Sequence, residues 1–466
     1  MTVRAKGSGE HVRPAPALAS MTATEGAALV RRGELRPSEW LAACLEQQLV
    51  WESRVLAWAQ LDRDRVLAEA RALDSTAWPD LLPAPRLAGV PFGIKDVFNT
   101  RDLTTAMGSD LWSGFEPGND ARVISVIRLL GGQVVGKTVT AEFAVHAPGS
   151  TRNPCDPGRI AGTSSTGSAV AVATGSVPVA LGTQTAGSII RPASYVGTLG
   201  FKPSFGLIPR TGVLKTSDTL DSIGWFARSV DDLALVFDAL RVQGRDYPNV
   251  ERGLARAEAK RRAGSSAPWR VALAIPPAWD LADPYARDAV RSFAAELGRR
   301  PDVRMEELDL RAALGDAHAV HRTIYHKSLS YYFKKELSRD GEVSPILREI
   351  CAEGREIPLE AFARALERQR ELERRLSLEM EGHDVLVTLS VAGEPPPLER
   401  PDERDDSALV WTLCGAPAVS LPLFRGPRGL PFGLQVVASR YGDHKLLEFA
   451  RTILPGALPP LAPPGT

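Results

Sequence analysis

The chain has 466 residues, 44% of them hydrophobic and 24% charged. That composition describes a folded globular protein with material for a large buried core, and it excludes a disordered or fibrous one. Its 56 basic and 56 acidic residues cancel, so no surplus of charge points to nucleic acid or to an acidic membrane surface.

Met1 to Ser20 carries Lys, Arg, Pro and Gly but no apolar stretch. Residues 1–20 are therefore expected to be a flexible tail, not a signal peptide. From Met21 to about Ser75, Leu29, Val30, Leu35, Leu41, Leu45 and Val50 recur at helical spacing. Pro37-Ser38-Glu39 marks a helix start, and a second helix is predicted from Asp62 to Ala72. At Leu87 the pattern changes. Gly89 to Ile94 reads as a short buried strand with a charged end, Lys95-Asp96. Val123 to Leu130 reads as a helix and Gln133 to Gly136 as a strand. Ser168 to Thr174 reads as an Ala-rich helix, and Val177–Leu181 and Gly197–Lys202 as strands. From about Ala255 to Arg375 the chain is charged and expected to be helical, apart from a strand at Arg270–Ile275. Strands resume at Asp384–Leu389, Ala418–Leu421 and Gly433–Val437. Such alternation predicts an α/β fold. No internal repeat or linker divides it, so 21–466 is expected to be a single domain.

One strip stands apart from this pattern. Gly162-Thr163-Ser164-Ser165-Thr166-Gly167-Ser168 opens it and Gly182-Thr183-Gln184-Thr185-Ala186-Gly187-Ser188 begins its second end. Nearly every residue in these pieces is small or hydroxylated. Such a stretch suits a place where backbone approaches a ligand and hydroxyls point inward. A serine nucleophile needs a base, and none of the seven histidines lies in the strip. His318, His321 and His326 lack the carboxylate that would complete a metal site, and are read as surface or packing residues. A buried lysine also serves as a base, because burial lowers its pKa. Lys95 ends an apolar segment, which suits that role or that of a lysine snorkelling from a strand end.

Two decoys lie nearby. Gly131-Gly132-Gln133-Val134-Val135-Gly136-Lys137-Thr138 satisfies the GxxxxGK[ST] phosphate-loop pattern. Here, however, a helix precedes it and Val134-Val135 reads as strand where a loop of exposed N–H groups is required. Cys155 sits in a Pro-rich turn with no histidine near it, and is read as structural. Cys44, Cys351 and Cys414 are scattered as well, without C-x-x-C spacing. The four make a disulfide framework unexpected and fit a reducing cytoplasm. No apolar run approaches about 18 residues, so no membrane span is expected.

Taken together, Gly89–Asp96, Gly131–Thr138 with Glu142-Phe143, Gly162–Ser168, Gly182–Ser188, Gly200–Ser204, Gly206–Pro209, Gly415–Ala418 and Gly429–Gln435 resemble the amidase signature family. The likeness runs from about Met21 to Leu454. It implies a large mixed, twisted β-sheet covered by helices on both faces, with core motifs at 87–210, a helical insertion at about 276–380, and C-terminal strands and a helix at 384–454. It implies Ser188 as nucleophile, Ser164 as bridging serine after a cis peptide bond, and Lys95 as base. Ser165 would support them. Backbone N–H groups of Thr185, Ala186, Gly187 and Ser188 would form the oxyanion hole. Family position puts Met107, Ser109 and Phe143 in the acyl pocket, with Tyr325, Tyr331 and Tyr332 shaping it from the insertion.

The implied activity is hydrolysis of a small or medium carboxamide, with no metal and no cofactor. The partners expected are the small-molecule amide and a second copy in a homodimer, without nucleic acid or membrane. The alternatives are an amide synthase using the same acyl-enzyme, and an amidotransferase A-type subunit of a tRNA-dependent complex. The chain departs from the family pattern at Gln184, where Asp is frequent, and at Arg191, which falls three residues after Ser188 instead of two. Thr163, Thr166 and Ala186 stand where Gly is usual. A rearranged support network around an intact triad is expected.

Overall fold

Eleven strands form one sheet in the computed structural model, which describes residues 15–81, 83–244, 247–263, 268–339, 341–399 and 405–463. In chain order they are β1 (Trp58–Gln60), β2 (Pro91–Lys95), β3 (Gln133–Thr138), β4 (Val179–Gln184), β5 (Leu199–Lys202), β6 (Ser222–Ala227), β7 (Trp269–Ile275), β8 (Val303–Asp309), β9 (Val385–Leu389), β10 (Ala418–Arg425) and β11 (Pro431–Val437). Across the sheet the order is β1-β3-β2-β4-β6-β5-β10-β11-β9-β7-β8. Strand β2 runs parallel to β3 and β4, and β7 runs parallel to β8 and β9. The remaining pairs are antiparallel. Parallel neighbours need a crossover. The helices Arg122–Leu129, Thr166–Ala173 and Pro284–Leu297 lie in the crossovers before β3, β4 and β8.

Side chains alternate across a strand, and the core follows that rule. Val179, Leu181, Val387, Val419 and Val436 belong to one apolar cluster that runs the length of the sheet. On the other face, Ala180 belongs to a cluster beneath the helix Thr166–Ala173. Ala272, Leu386, Ala418 and Val437 belong to a third, beneath helices of the insertion. Ile189 lies in the second of these clusters and Ile190 in the third. Ser188 thus sits at the seam between two packed units.

Most elements fall within a few residues of their expected places. Three strands do not appear in the sequence reading: β1, β6 and β8. Strand β8 lies within the stretch of about 276–380 that was expected to be a helical insertion. Its sequence, Val-Arg-Met-Glu-Glu-Leu-Asp, keeps Val303, Met305 and Leu308 buried or half-buried and exposes the charged residues on a sheet edge, and its charge imitates a solvated helix. The tail expected over 1–20 is also corrected at its end. Ala15–Ala19 form a helical turn, and Leu18 and Ala19 are buried. Residues 1–14 lie outside the described residues. No helix among the described residues is long and apolar enough to cross a membrane.

Candidate active site

Parallel pairing of β2 with β4 sets Ile94 beside Leu181, so both strands deliver their carboxyl ends to one edge. Lys95 closes β2, and Thr183-Gln184 closes β4. The helix Thr166–Ala173 starts directly after Ser164-Ser165 and is buried along its whole length. Small residues let it sit that deep. A Cβ on Gly167 would land on the Ala57 carbonyl oxygen and the Val139 nitrogen. Gly162, at φ +89°, lies against the Pro192 backbone, within 2.9 Å of where its own Cβ would stand. The two ends of the strip therefore meet.

Lys95 Nζ lies 2.7 Å from Ser164 Oγ and 2.8 Å from Thr183 Oγ1. The peptide bond between Thr163 and Ser164 is cis. Ser165 Oγ donates to the Thr183 carbonyl at 3.1 Å, and the Thr183 N–H returns to it at 3.2 Å. Lys95 is fully buried. Burial holds its pKa well below the ordinary 10.5, while the Asp221 carboxylate pulls part of the way back. Burial thus favours the neutral, proton-accepting form of the amine that faces Ser164, and the Asp221 carboxylate opposes it. Ser188 is half-buried, and its hydroxyl has no hydrogen-bond partner among the described residues.

Beyond β4 the chain turns through Thr185, Ala186 and Gly187. Thr185 Oγ1 donates to Asp221 Oδ1 at 2.8 Å. Asp221 also accepts from the N–H groups of Thr216 and Ser217, at 2.8 and 3.0 Å. The N–H groups of Ala186, Gly187 and Ser188 have no acceptor among the described residues.

The two departures from the family pattern have separate partners. Gln184 is fully buried. Its Oε1 accepts from Ile189 N–H at 2.8 Å and Ile190 N–H at 3.0 Å, and its Nε2 donates to Thr412 Oγ1 at 2.9 Å. Arg191 does not pair with it; its Nε donates to Asp406 Oδ2 at 2.8 Å. Gln184→Leu would leave two buried N–H donors without acceptors. At about 1–3 kcal/mol for each buried orphan, partly relaxed, it should destabilise the fold by about 2–4 kcal/mol. Gln184→Glu keeps the acceptor and should lose less. Urea denaturation decides; a loss under about 0.5 kcal/mol for the Leu variant would remove the assigned role.

Met107, Phe143 and Tyr325 share one buried cluster, in which Phe143 stacks on Phe333 at 4.8 Å. Ser109 is buried, and its hydroxyl has no partner among the described residues. Tyr331 is 74% exposed and faces outward, contrary to the expected pocket role, whereas Tyr332 packs half-buried against the same cluster and donates to Asp218. A cleft opens beside Thr183 and Thr185, walled by Val97, Ala144, Val213, Arg210 and Asp221. Arg210 and Asp221 escaped the sequence reading. The hydroxyl-rich run Thr216-Ser217-Asp218-Thr219 was the signal available, since it resembles the strip in composition.

The decoys find ordinary places. Lys137 is buried in β3 and paired with Asp96 at 2.7 Å; it offers no phosphate cradle. Cys155 Sγ points at the Val196 carbonyl, and burial raises its thiol to about 11. His326 pairs with Glu353 at 2.9 Å. His318 meets the Asp406 carbonyl, and His321 meets that of Thr185.

The sheet, the hydroxyl-rich strip and the buried lysine at its edge define an enzyme that acts on amides. The family model described as Amidase matches residues 39–447, and the chain belongs to the amidase signature family. It is 31% identical to the A-type subunit of glutamyl-tRNA(Gln) amidotransferase from Acidothermus cellulolyticus, over 91% of this chain and 92% of that one. Other subunits of that description match over about half their length. Among solved structures it is similar to native peptide amidase from Stenotrophomonas maltophilia, with TM-score 0.79, 26% identity, and 96% and 99% of the two chains covered. It is equally similar in shape to 6-aminohexanoate cyclic dimer hydrolase complexed with substrate, with TM-score 0.79, 25% identity, and 94% and 98% covered.

Proposed function

We propose that the protein hydrolyses a small or medium linear carboxamide through an acyl-enzyme on Ser188. One observation carries this reading: a fully buried, pKa-lowered Lys95 within 2.7 Å of Ser164 Oγ, at the edge where the strip meets the sheet. Neutral Lys95 accepts a proton from Ser164 as Ser164 accepts one from Ser188. Ser188 Oγ forms a bond to the amide carbon, and the carbonyl becomes an oxyanion facing the N–H groups of Thr185, Ala186, Gly187 and Ser188. The relay then gives its proton to the leaving nitrogen, the C–N bond breaks, and water enters by the same route in reverse. The cleft beside Thr183 and Thr185 supplies an apolar wall at Val97 and Val213 and a polar one at Asp221. Met107, Ser109, Phe143 and Tyr325 complete the acyl pocket in this reading.

Purified protein offered a panel of aryl and aliphatic amides should release amine or ammonia without an added acceptor, metal or nucleotide. Product formed only when an amine is supplied would overturn hydrolysis in favour of synthesis.

The likeness to amidotransferase subunits over 91% of the chain favours a second reading, in which the protein is one member of such a complex. It requires co-purification with partner subunits and an activity that depends on tRNA and ATP. Turnover by the isolated chain on simple amides excludes that dependence.

A further inference from the structure

The insertion reaches back to the strip through one side chain. His321 lies on the helix Ala317–Tyr332, 136 residues from Thr185 in sequence, and is buried. Its Nε2 is 2.9 Å from the Thr185 carbonyl oxygen. A carbonyl oxygen only accepts, so the ring must carry its hydrogen on Nε2. We propose that His321 is a positioning residue for the oxyanion hole, aiming the Ala186 N–H by gripping the carbonyl on the opposite side of the same peptide. The proposal rests on the reading of Ser188 as nucleophile.

The geometry follows from peptide planarity. In a trans peptide the C=O of one residue and the N–H of the next point in opposite directions. The Thr185–Ala186 bond is trans, since the cis bond among the described residues is Thr163–Ser164. A donor that fixes the Thr185 carbonyl therefore fixes the direction of the Ala186 N–H. The following peptide is approached in the same way: Thr412 Oγ1 lies 2.8 Å from the Ala186 carbonyl, on the far side of the Gly187 N–H, and shares its one hydrogen with the Ala408 carbonyl at 3.0 Å. The Gly187 carbonyl accepts from Arg191 N–H at 2.9 Å; the N–H groups themselves have no acceptor among the described residues, so the grips on the carbonyls behind them decide which way the Ala186 and Gly187 N–H groups point. His321 is itself held by Tyr325, one turn along the helix, with ring centroids 5.6 Å apart. Burial lowers its pKa to about 3, so it stays neutral and keeps one ring nitrogen as donor through the neutral range.

The test uses the full chain and a fluorophosphonate probe, whose phosphoryl oxygen gains negative charge in the same hole. His321→Leu should label at Ser188 with a maximal rate about 10- to 100-fold slower, while the half-saturating probe concentration stays within about twofold. His321→Gln, which places an amide N–H near the lost Nε2, should recover most of the rate. Where His321→Leu does not fold, His321→Met takes its place. Apolar variants that label at the wild-type rate overturn the proposal, as does a Gln variant as slow as the apolar ones. Wild-type protein that never labels at Ser188 overturns the site reading beneath it, which separates the two failures.

Discussion

Ser188→Ala is expected to remove the reaction almost entirely. Loss of a triad nucleophile costs about a millionfold in kcat, because the remaining groups act on an attack that no longer occurs. The fold should survive: Ser188 is half-buried and its hydroxyl bonds to nothing among the described residues, so stability should change by less than about 0.5 kcal/mol. Mass spectrometry after fluorophosphonate treatment gives the readout. The wild type should gain one adduct on Ser188 and the variant none. Full labelling of the variant would move the nucleophile elsewhere.

Lys95→Met should separate activity from stability. The substitution keeps the length and removes the amine. Hydrolysis should fall about 10³- to 10⁴-fold, the scale of a positioned base. The same change should make the protein more stable, because a buried amine is costly and a thioether is not. The pH dependence has a fixed sign. Burial lowers the folded-state pKa of Lys95 below its ordinary 10.5. Between those two values the unfolded chain binds the proton and the folded one does not, so stability rises with pH by about 1.4 kcal/mol per unit. Below the folded pKa that gain is absent and the relay is blocked, so kcat/KM should fall tenfold per unit on the acid side. Lys202, lowered by burial to about 7, adds a slope of the same sign from about 7 to 10.5 in both proteins. The difference between wild type and Lys95→Met isolates the share of Lys95. A variant with the wild-type slope and activity would assign the base to another group.

The strip and Lys95 were legible because chemistry restricts residue types over a few adjacent positions. The strip announces itself by hydroxyl and glycine density and Lys95 by a charge at the end of an apolar run, but the choice of Ser164, Ser188 and Lys95 as a triad came from the family resemblance and not from composition. The partners that hold the strip were not legible. His321, Thr412, Asp406 and Asp221 are single residues of common type, brought in by tertiary packing from far along the chain. His321 read as a surface or packing histidine; it is buried against the Thr185 carbonyl. The strands hid for related reasons. Strand β6, Ser-Ile-Gly-Trp-Phe-Ala, is buried throughout and lacks the alternation that marks a half-exposed strand. Strand β8 alternates only as far as Glu306, breaks at Glu306-Glu307, and carries charges that suit a helix equally well. The displaced Arg191 was visible as a departure from the family pattern, whereas its carboxylate partner lay 215 residues away.

That separation in sequence is also a separation in time. The residues proposed as the relay, Lys95, Ser164 and Ser188, all leave the ribosome early. Strand β5 must wait for β10, Gln184 for Thr412 across 228 residues, and Arg191 for Asp406. At about 5–20 residues per second, the wait is roughly 10 to 50 s. During that interval the nascent chain carries its reactive groups without the bonds that aim them, and β5 presents an open edge. Synthesis itself thus delays the onset of catalysis until the C-terminal strands arrive.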